Sequence, residues 1–368
     1  MAKLRLKKKN TAIFICALAF FLIEIINPSK IIAVNSLQKN NYSKESAKKI
    51  IELGLKRKVL DNKYNPFIDM NVQDKDFSID NYDFYNEINY DGKIPVKLVN
   101  QLKEKGYLSS DVSNILNAGD EISIKDFLNK DKIANISDFL SFPYAKLSLL
   151  DRYIEYKKIN GVKYETAVTY VNIGLDEDFF TNYKIIDNYN DAMLVNKYNA
   201  LSENYIPENL EFFPKEYCSS SCPQDKKNVV EAYIKMYNAI KEEGLKIMVN
   251  SGYRSYKEQD ELYEKYTKLY GKNYNVAKAG FSEHQTGLAI DLKAGSSNTF
   301  KGSKEENWIR ENGYKYGFIL RYESNKANIT GYDEPWHIRY VGEQIAEDMK
   351  NKKLTYDEYY VRYLEKRK

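Results

Sequence analysis

The chain has 368 residues, 43% of them apolar and 29% charged, which is ample for a folded core and excludes global disorder. The formal net charge of +4 is misleading, because the first ten residues, MAKLRLKKKN, carry five positive side chains. What remains is close to neutral, and the basic patch or stripe that a nucleic-acid binder presents is not expected.

The positive cluster precedes an unbroken apolar run, AIFICALAFFLI (12–23), followed by Glu24 and, shortly after, Pro28. Residues 1–35 therefore read as a signal peptide or an N-terminal membrane anchor with its positive end inside. The run is shorter than the roughly 20 residues of a full span, which favours the signal reading. Cys16 follows Ile15, where a lipidation signal would place a small residue, and it is not read as lipidated. Either reading exports the remainder, to the outer face of the cytoplasmic membrane or the cell wall.

Residues 36–142 are expected to be mostly helical. ESAKKIIELGLKRKVL, PVKLVNQLKEKGYL and ISIKDFLNKDKIANISDFLSF carry apolar residues at helical spacing, separated by Asn, Asp and Gly. They resemble copies of a short unit without a definable period. Spacer, wall-binding and partner-docking roles all stay open for this region.

Residues 143–209 open with two helices broken at Asn160-Gly161, with Leu147, Leu150, Tyr153 and Ile154 on one face. They continue from residue 185 as an extended arm, rich in Asn, Pro and aromatics, that leads into the last domain.

Residues 210–368 carry a sharper pattern. Cys218 and Cys222 suit a small disulfide in an oxidising compartment, or two free thiols; a zinc ribbon is excluded, because no second Cys pair exists. DKKNVVEAYIKMYNAIKEEG is an amphipathic helix stopped at Gly244, and LKIMV (245–249) is a strand running into the loop NSGYRS. A second helix, YKEQDELYEKYTKLYG, precedes the strand LAIDL (288–292), and KEENWIRENG is a third helix. FILRY and HIRYV are further strands, and GEQIAEDMKN closes the domain. The pattern predicts an α+β domain, with helices flanking a small, mainly antiparallel sheet and a mostly helical region ahead of it.

Only two histidines occur in the chain, His284 in FSEHQTGLAIDL and His337 in GYDEPWHIRYVG. A catalytic zinc site takes three protein ligands and leaves a fourth position for water. If both histidines are ligands, one carboxylate completes the set, and Asp291 is the natural choice. Gly287 permits the turn that lets His284 and Asp291 converge, and His337 arrives from a neighbouring strand. Glu334 precedes His337 by three, across a stiffening Pro-Trp pair, where a carboxylate suits proton transfer to and from water. Arg254, in the SGYRS loop, supplies a guanidinium for the negative charge that builds on a carbonyl oxygen during amide hydrolysis.

SGYRSYKEQ, SEHQTGLAIDL and DEPWHIRYVG resemble the three signature segments of the VanY-type D-alanyl-D-alanine carboxypeptidases. These belong to a wider group of zinc peptidases that includes lysostaphin-like enzymes and the hedgehog signalling domain. Ser282, His284, Gly287, Ala289 and Asp291 match the pattern S-x-H-x-x-G-x-A-x-D, and residues 334–340 match E-P-W-H-x-R-Y. The resemblance spans residues 210–350, while residues 36–140 resemble nothing comparable. It implies one Zn2+ held by His284, Asp291 and His337, Glu334 as general base, and Arg254 polarising the scissile carbonyl. It further implies that Ser282 and Gln259 hold the terminal carboxylate of a peptidoglycan stem peptide.

The expected function is a zinc carboxypeptidase that removes a C-terminal D-alanine. An L,D-carboxypeptidase or a stem-peptide endopeptidase on the same scaffold is the nearest alternative. A non-catalytic, zinc-stabilised domain that binds wall or partner protein is the second, disfavoured because structural zinc needs neither Glu334 nor Arg254.

Overall fold

The computed structural model describes residues 28–271, 276–295 and 299–365. The apolar run at 12–23 lies outside the described residues. Among the described residues, no helix is long and apolar enough to cross a membrane. The chain divides into two compact units, Met1–Leu150 and Asp151–Lys368.

The first unit is built of short helices: α1 (Pro28–Gln38), α2 (Lys44–Glu52), α3 (Lys56–Leu60), α4 (Pro66–Asn71), α5 (Tyr82–Asn86), α6 (Val96–Glu104), α7 (Ser109–Ala118), α8 (Glu121–Leu128) and α9 (Ile136–Leu140). Too short to be stable alone, they are held by packing and by polar side chains that bond to partners 22 to 26 residues away in the chain. Asn65 caps its own helix at Ile68 N and also donates to the Ile88 carbonyl, 23 residues away. Asn71 Oδ1 accepts from Ile94 N, again 23 residues on, and Asp74 accepts from Val96 N, 22 on. Asn89 N donates to Ser113 Oγ, 24 on, and Ser137 Oγ to Asp111, 26 apart. A step of this size, which apolar spacing alone does not reveal, is thus written in Asn, Asp and Ser.

The second unit opens with α10 (Leu150–Asn160) and α11 (Tyr164–Ile173), broken where Asn160-Gly161 predicts, with Gly161 at φ 63°. An arm follows that contains only two-residue strands, β1 (Lys184–Ile185) and β2 (Asn199–Ala200). A hairpin-like pair, β3 (Leu210–Phe212) and β4 (Gln224–Lys226), leads into α12 (Lys227–Glu242). Between those strands Cys218 and Cys222 form a disulfide, with Cα atoms 5.3 Å apart.

Four strands make the main sheet: β5 (Ile247–Ser251), β6 (Ala289–Ala294), β7 (Phe318–Tyr322) and β8 (Glu334–Tyr340). Their order is β5-β6-β8-β7, and every pairing is antiparallel. The α+β expectation holds. Helices α13 (Tyr256–Tyr270), α14 (Lys304–Asn312) and α15 (Ala327–Thr330) lie between the strands, and α16 (Glu343–Lys352) and α17 (Tyr356–Tyr359) close the chain.

Alternation along the strands gives the sheet two faces. Ile290, Leu292, Phe318 and Ile338 join Val229, Tyr233, Met236 and Ile240 of α12 in the main core. Asp291, His337 and Arg339 therefore stand on the other face. Strand β8 begins three residues before the predicted HIRYV, which brings Glu334 onto the sheet itself.

Candidate active site

The site rests on one register. Asp291 of β6 pairs directly with His337 of β8, and facing side chains on neighbouring strands are close enough to share a ligand. His337 Nδ1 lies 3.1 Å from Asp291 Oδ1. His284 arrives from a single 3-10 turn, Glu283–Thr286, that Ser282 caps through His284 N at 3.4 Å. The turn ends at Gly287 with φ 65°, in the left-handed region that glycine enters without strain. A Cβ there would also meet Pro207 Cγ at 3.1 Å. The chain then enters β6, and His284 Nε2 comes to 3.2 Å from Asp291 Oδ2.

One ligand atom from each of His284, Asp291 and His337 lies within 4.8 Å of the other two. The outer nitrogens of both rings are engaged as ligand histidines require. His284 Nδ1 is 2.7 Å from the Gly252 carbonyl, and His337 Nε2 is 3.2 Å from Glu283 Oε2. Two imidazole nitrogens and a carboxylate oxygen, with a cavity on the fourth side, fit a catalytic rather than a closed structural zinc site.

The electrostatics agree. Burial lowers the His284 pKa against the pull of Asp291, with Arg254 acting the same way as burial, which favours the neutral ring that a metal ligand needs. Burial pushes the Asp291 carboxyl up, but the two histidines outweigh it and hold it well below its ordinary range. His337 rises to about 9 despite burial, because Asp291 and Glu283 both stabilise its cation. A metal that takes Nδ1 must displace that proton.

A cavity of about 310 Å³ opens over these groups, and Arg254, Gln259, Ser282, Tyr332, Glu334 and Trp336 are among its lining residues. The structure thus brings every predicted site residue to one place. Burial, aided by Asp291, raises the Glu334 pKa to about 7, against the pull of His337, Arg254 and Lys197. Arg254 follows the bulge at the end of β5; it donates to Gln259 Oε1 at 2.5 Å and to Ser251 Oγ at 3.0 Å.

Several residues at the site escape the sequence reading. Glu283 occupies the variable position of S-x-H, yet it is buried and bonded to His337. Arg339 stands two residues after His337, on the same strand face, a spacing that a strand reading of 334–340 would have exposed. Lys197 comes from the arm; its Nζ donates to the Gly331 carbonyl at 2.7 Å and lies 4.0 Å and 4.3 Å from the Phe179 and Tyr332 ring centres. Asp225 of β4 is fully buried, neither of its oxygens makes a hydrogen bond, and no sequence signal marks it.

The family described as VanY, D-alanyl-D-alanine carboxypeptidase, matches residues 224–343. The putative carboxypeptidase YodJ of Bacillus subtilis (strain 168) is 37% identical over 205 residues, covering 50% of this chain and 75% of that protein. A D-alanyl-D-alanine carboxypeptidase of Enterococcus faecium is 43% identical over 136 residues, covering 36% of this chain and 43% of its own. Among solved structures, the vancomycin-resistance D,D-pentapeptidase VanY from a VanB-type cassette, in complex with Zn(II), is 32% identical with a TM-score of 0.40. It is matched over 46% of this chain and 98% of its own.

Proposed function

This chain belongs to the VanY family of D-alanyl-D-alanine carboxypeptidases, and from that premise we propose that it is a zinc-dependent carboxypeptidase acting on peptidoglycan stem peptides. The observation that carries the reading is the convergence of His284, Asp291 and His337 within 4.8 Å, beneath a cavity that also holds Glu334 and Arg254. Zinc, when bound by these three, supplies the Lewis acidity that makes water a nucleophile near neutral pH.

The chain's own residues do the rest. Glu334, with a pKa near neutrality, takes a proton from the attacking water as the carbon–oxygen bond forms. The carbonyl oxygen gains negative charge facing Arg254, whose guanidinium is already fixed by Gln259 and Ser251 and needs no reorganisation. As the carbon–nitrogen bond breaks, Glu334 returns the proton to the departing D-alanine amine. Ser282 and Gln259 line the same cavity, and Ser282 is the better candidate to hold the substrate's terminal carboxylate. Gln259 serves the site chiefly through Arg254, because its amide nitrogen is engaged on the Ala277 carbonyl at 2.6 Å.

The reaction takes place outside the cytoplasmic membrane. Support comes from the five positive side chains ahead of the apolar run at 12–23, and from the substrate, an exported polymer.

The test is product analysis by mass spectrometry on defined pentapeptide and tetrapeptide stems, with and without a chelator. Loss of one alanine from the pentapeptide, abolished by chelation and restored by zinc, is the expected result. A zinc-loaded protein that leaves every stem intact would overturn the reading, and cleavage of the tetrapeptide alone would reassign it to L,D specificity.

A further inference from the structure

The charge beneath the metal ligands has a structure of its own. Glu283 is 1% exposed. Its Oε2 faces His337 Nε2 at 3.2 Å, and its Oε1 accepts from Arg321 Nε at 2.8 Å and from Arg339 Nη1 at 3.1 Å. Both arginines are themselves buried and anchored. Arg321 donates to Asp357 of α17 at 2.7 Å, and Asp357 accepts from Asn196 of the arm at 2.8 Å. Arg339 donates to the Asp191 and Met193 carbonyls, each at 3.1 Å.

A carboxylate held by two fixed cations cannot turn away, and a histidine ring bonded to it cannot flip without giving up that buried bond. An imidazole that commits one nitrogen as a donor offers the other as a lone pair. Both nitrogens of His337 face a carboxylate, Nε2 that of Glu283 and Nδ1 that of Asp291, and Nδ1 is the one placed to exchange its proton for a metal shared with Asp291.

We propose that Glu283 is the positioning residue of the metal site: it keeps the His337 proton on Nε2, so that Nδ1 joins His284 and Asp291 as a ligand. Two buried arginines hold Glu283 in turn. Asp357 and the arm at 191–196 lie outside the matched segment 224–343, yet they support the metal site through those arginines. The inference rests on the metal-site reading given above.

The experiment measures zinc affinity of the full-length chain by competition with a chelator, in the wild type, Glu283→Ala and Glu283→Gln. Loss of a partner of this kind weakens metal binding by about 10–100-fold. Glu283→Ala is expected to lose that much, and Glu283→Gln to recover part of it, because its carbonyl oxygen still accepts from Nε2–H. Nitrogen-15 spectra of the zinc-loaded wild type supply a second readout that needs no variant. With only two histidines to assign, His337 is expected to show a protonated Nε2 and an unprotonated Nδ1.

A wild-type protein that takes up no zinc overturns the metal-site reading and this inference together. A wild type that binds zinc overturns the inference alone if folded Glu283→Ala binds within threefold as tightly. The same holds if the His337 proton is found on Nδ1, a result that decides the matter even where Glu283→Ala does not fold.

Discussion

Gln259 accepts from Arg254 Nη1 at 2.5 Å while its own amide nitrogen is tied to the Ala277 carbonyl at 2.6 Å. The guanidinium is thus clamped to the first turns of α13, with only 1% of Gln259 exposed. Arg254→Lys keeps the charge but loses the fork, and kcat is expected to fall by about 10²–10³ with zinc content unchanged. Gln259→Leu is expected to lose about 10–100-fold, in kcat rather than in KM, because it loosens the group that meets the transition state. A rise in KM alone, measured on a pentapeptide stem, would instead assign Gln259 to the substrate's carboxylate.

With Glu334 as the proposed base, the acidic side of the pH profile is expected to follow its titration. Its pKa of about 7 is set first by burial, which disfavours the charged form, and then by Asp291. A base must be ionised to act, so kcat/KM is expected to drop tenfold per pH unit below neutrality, well above the ordinary glutamate range. Glu334→Ala should keep its zinc and lose about 10²–10⁴ in turnover. Unchanged turnover in the zinc-loaded variant would remove Glu334 from the mechanism.

Lys197 acts on the same carboxylate from outside the matched segment. Its charge lowers the Glu334 pKa, and its bond to the Gly331 carbonyl fixes the turn that leads into β8. Lys197→Met keeps the apolar stem between Phe179 and Tyr332 and deletes the charge. The acidic limb of kcat/KM is then expected to move to higher pH, with the greatest loss of activity below pH 7. A pH–rate profile superimposable on wild type would exclude the coupling.

Asp225 is predicted to cost stability as pH rises. Burial, reinforced by Asp291, raises its pKa well above the ordinary value, and the charge of His337 offsets this only in part. A carboxyl whose folded pKa lies above its unfolded one contributes stability that is complete below the unfolded pKa. That contribution is lost as pH climbs through the folded value. Asp225→Asn does not titrate, so its melting temperature relative to wild type should rise from pH 4 to pH 8. The gain would be about 2–4 °C for each kcal/mol relieved. Thermal unfolding of the metal-free proteins across that range checks it, and an offset independent of pH would refute it.

The local features of this site were readable before any fold was known. A glycine that must adopt φ 65° ends the His284 turn, and two-residue periodicity then points Asp291 away from Ile290 and Leu292. Both are properties of a dozen consecutive residues, and so is the Glu334–His337 spacing. The helical break at Asn160-Gly161 and the short strands were legible for the same reason.

What the letters alone determined is therefore a set of candidate groups and the short elements on which they ride. Only tertiary structure decided that β6 lies against β8 in the register facing Asp291 with His337, 46 residues apart. It also decided that Glu283 meets Arg321, 38 residues on, and Arg339, 56 on, while Asn196 reaches Asp357 across 161. A buried ion pair leaves no periodic trace in sequence, because each charge, taken singly, reads as a solvated side chain until the fold withdraws water from it.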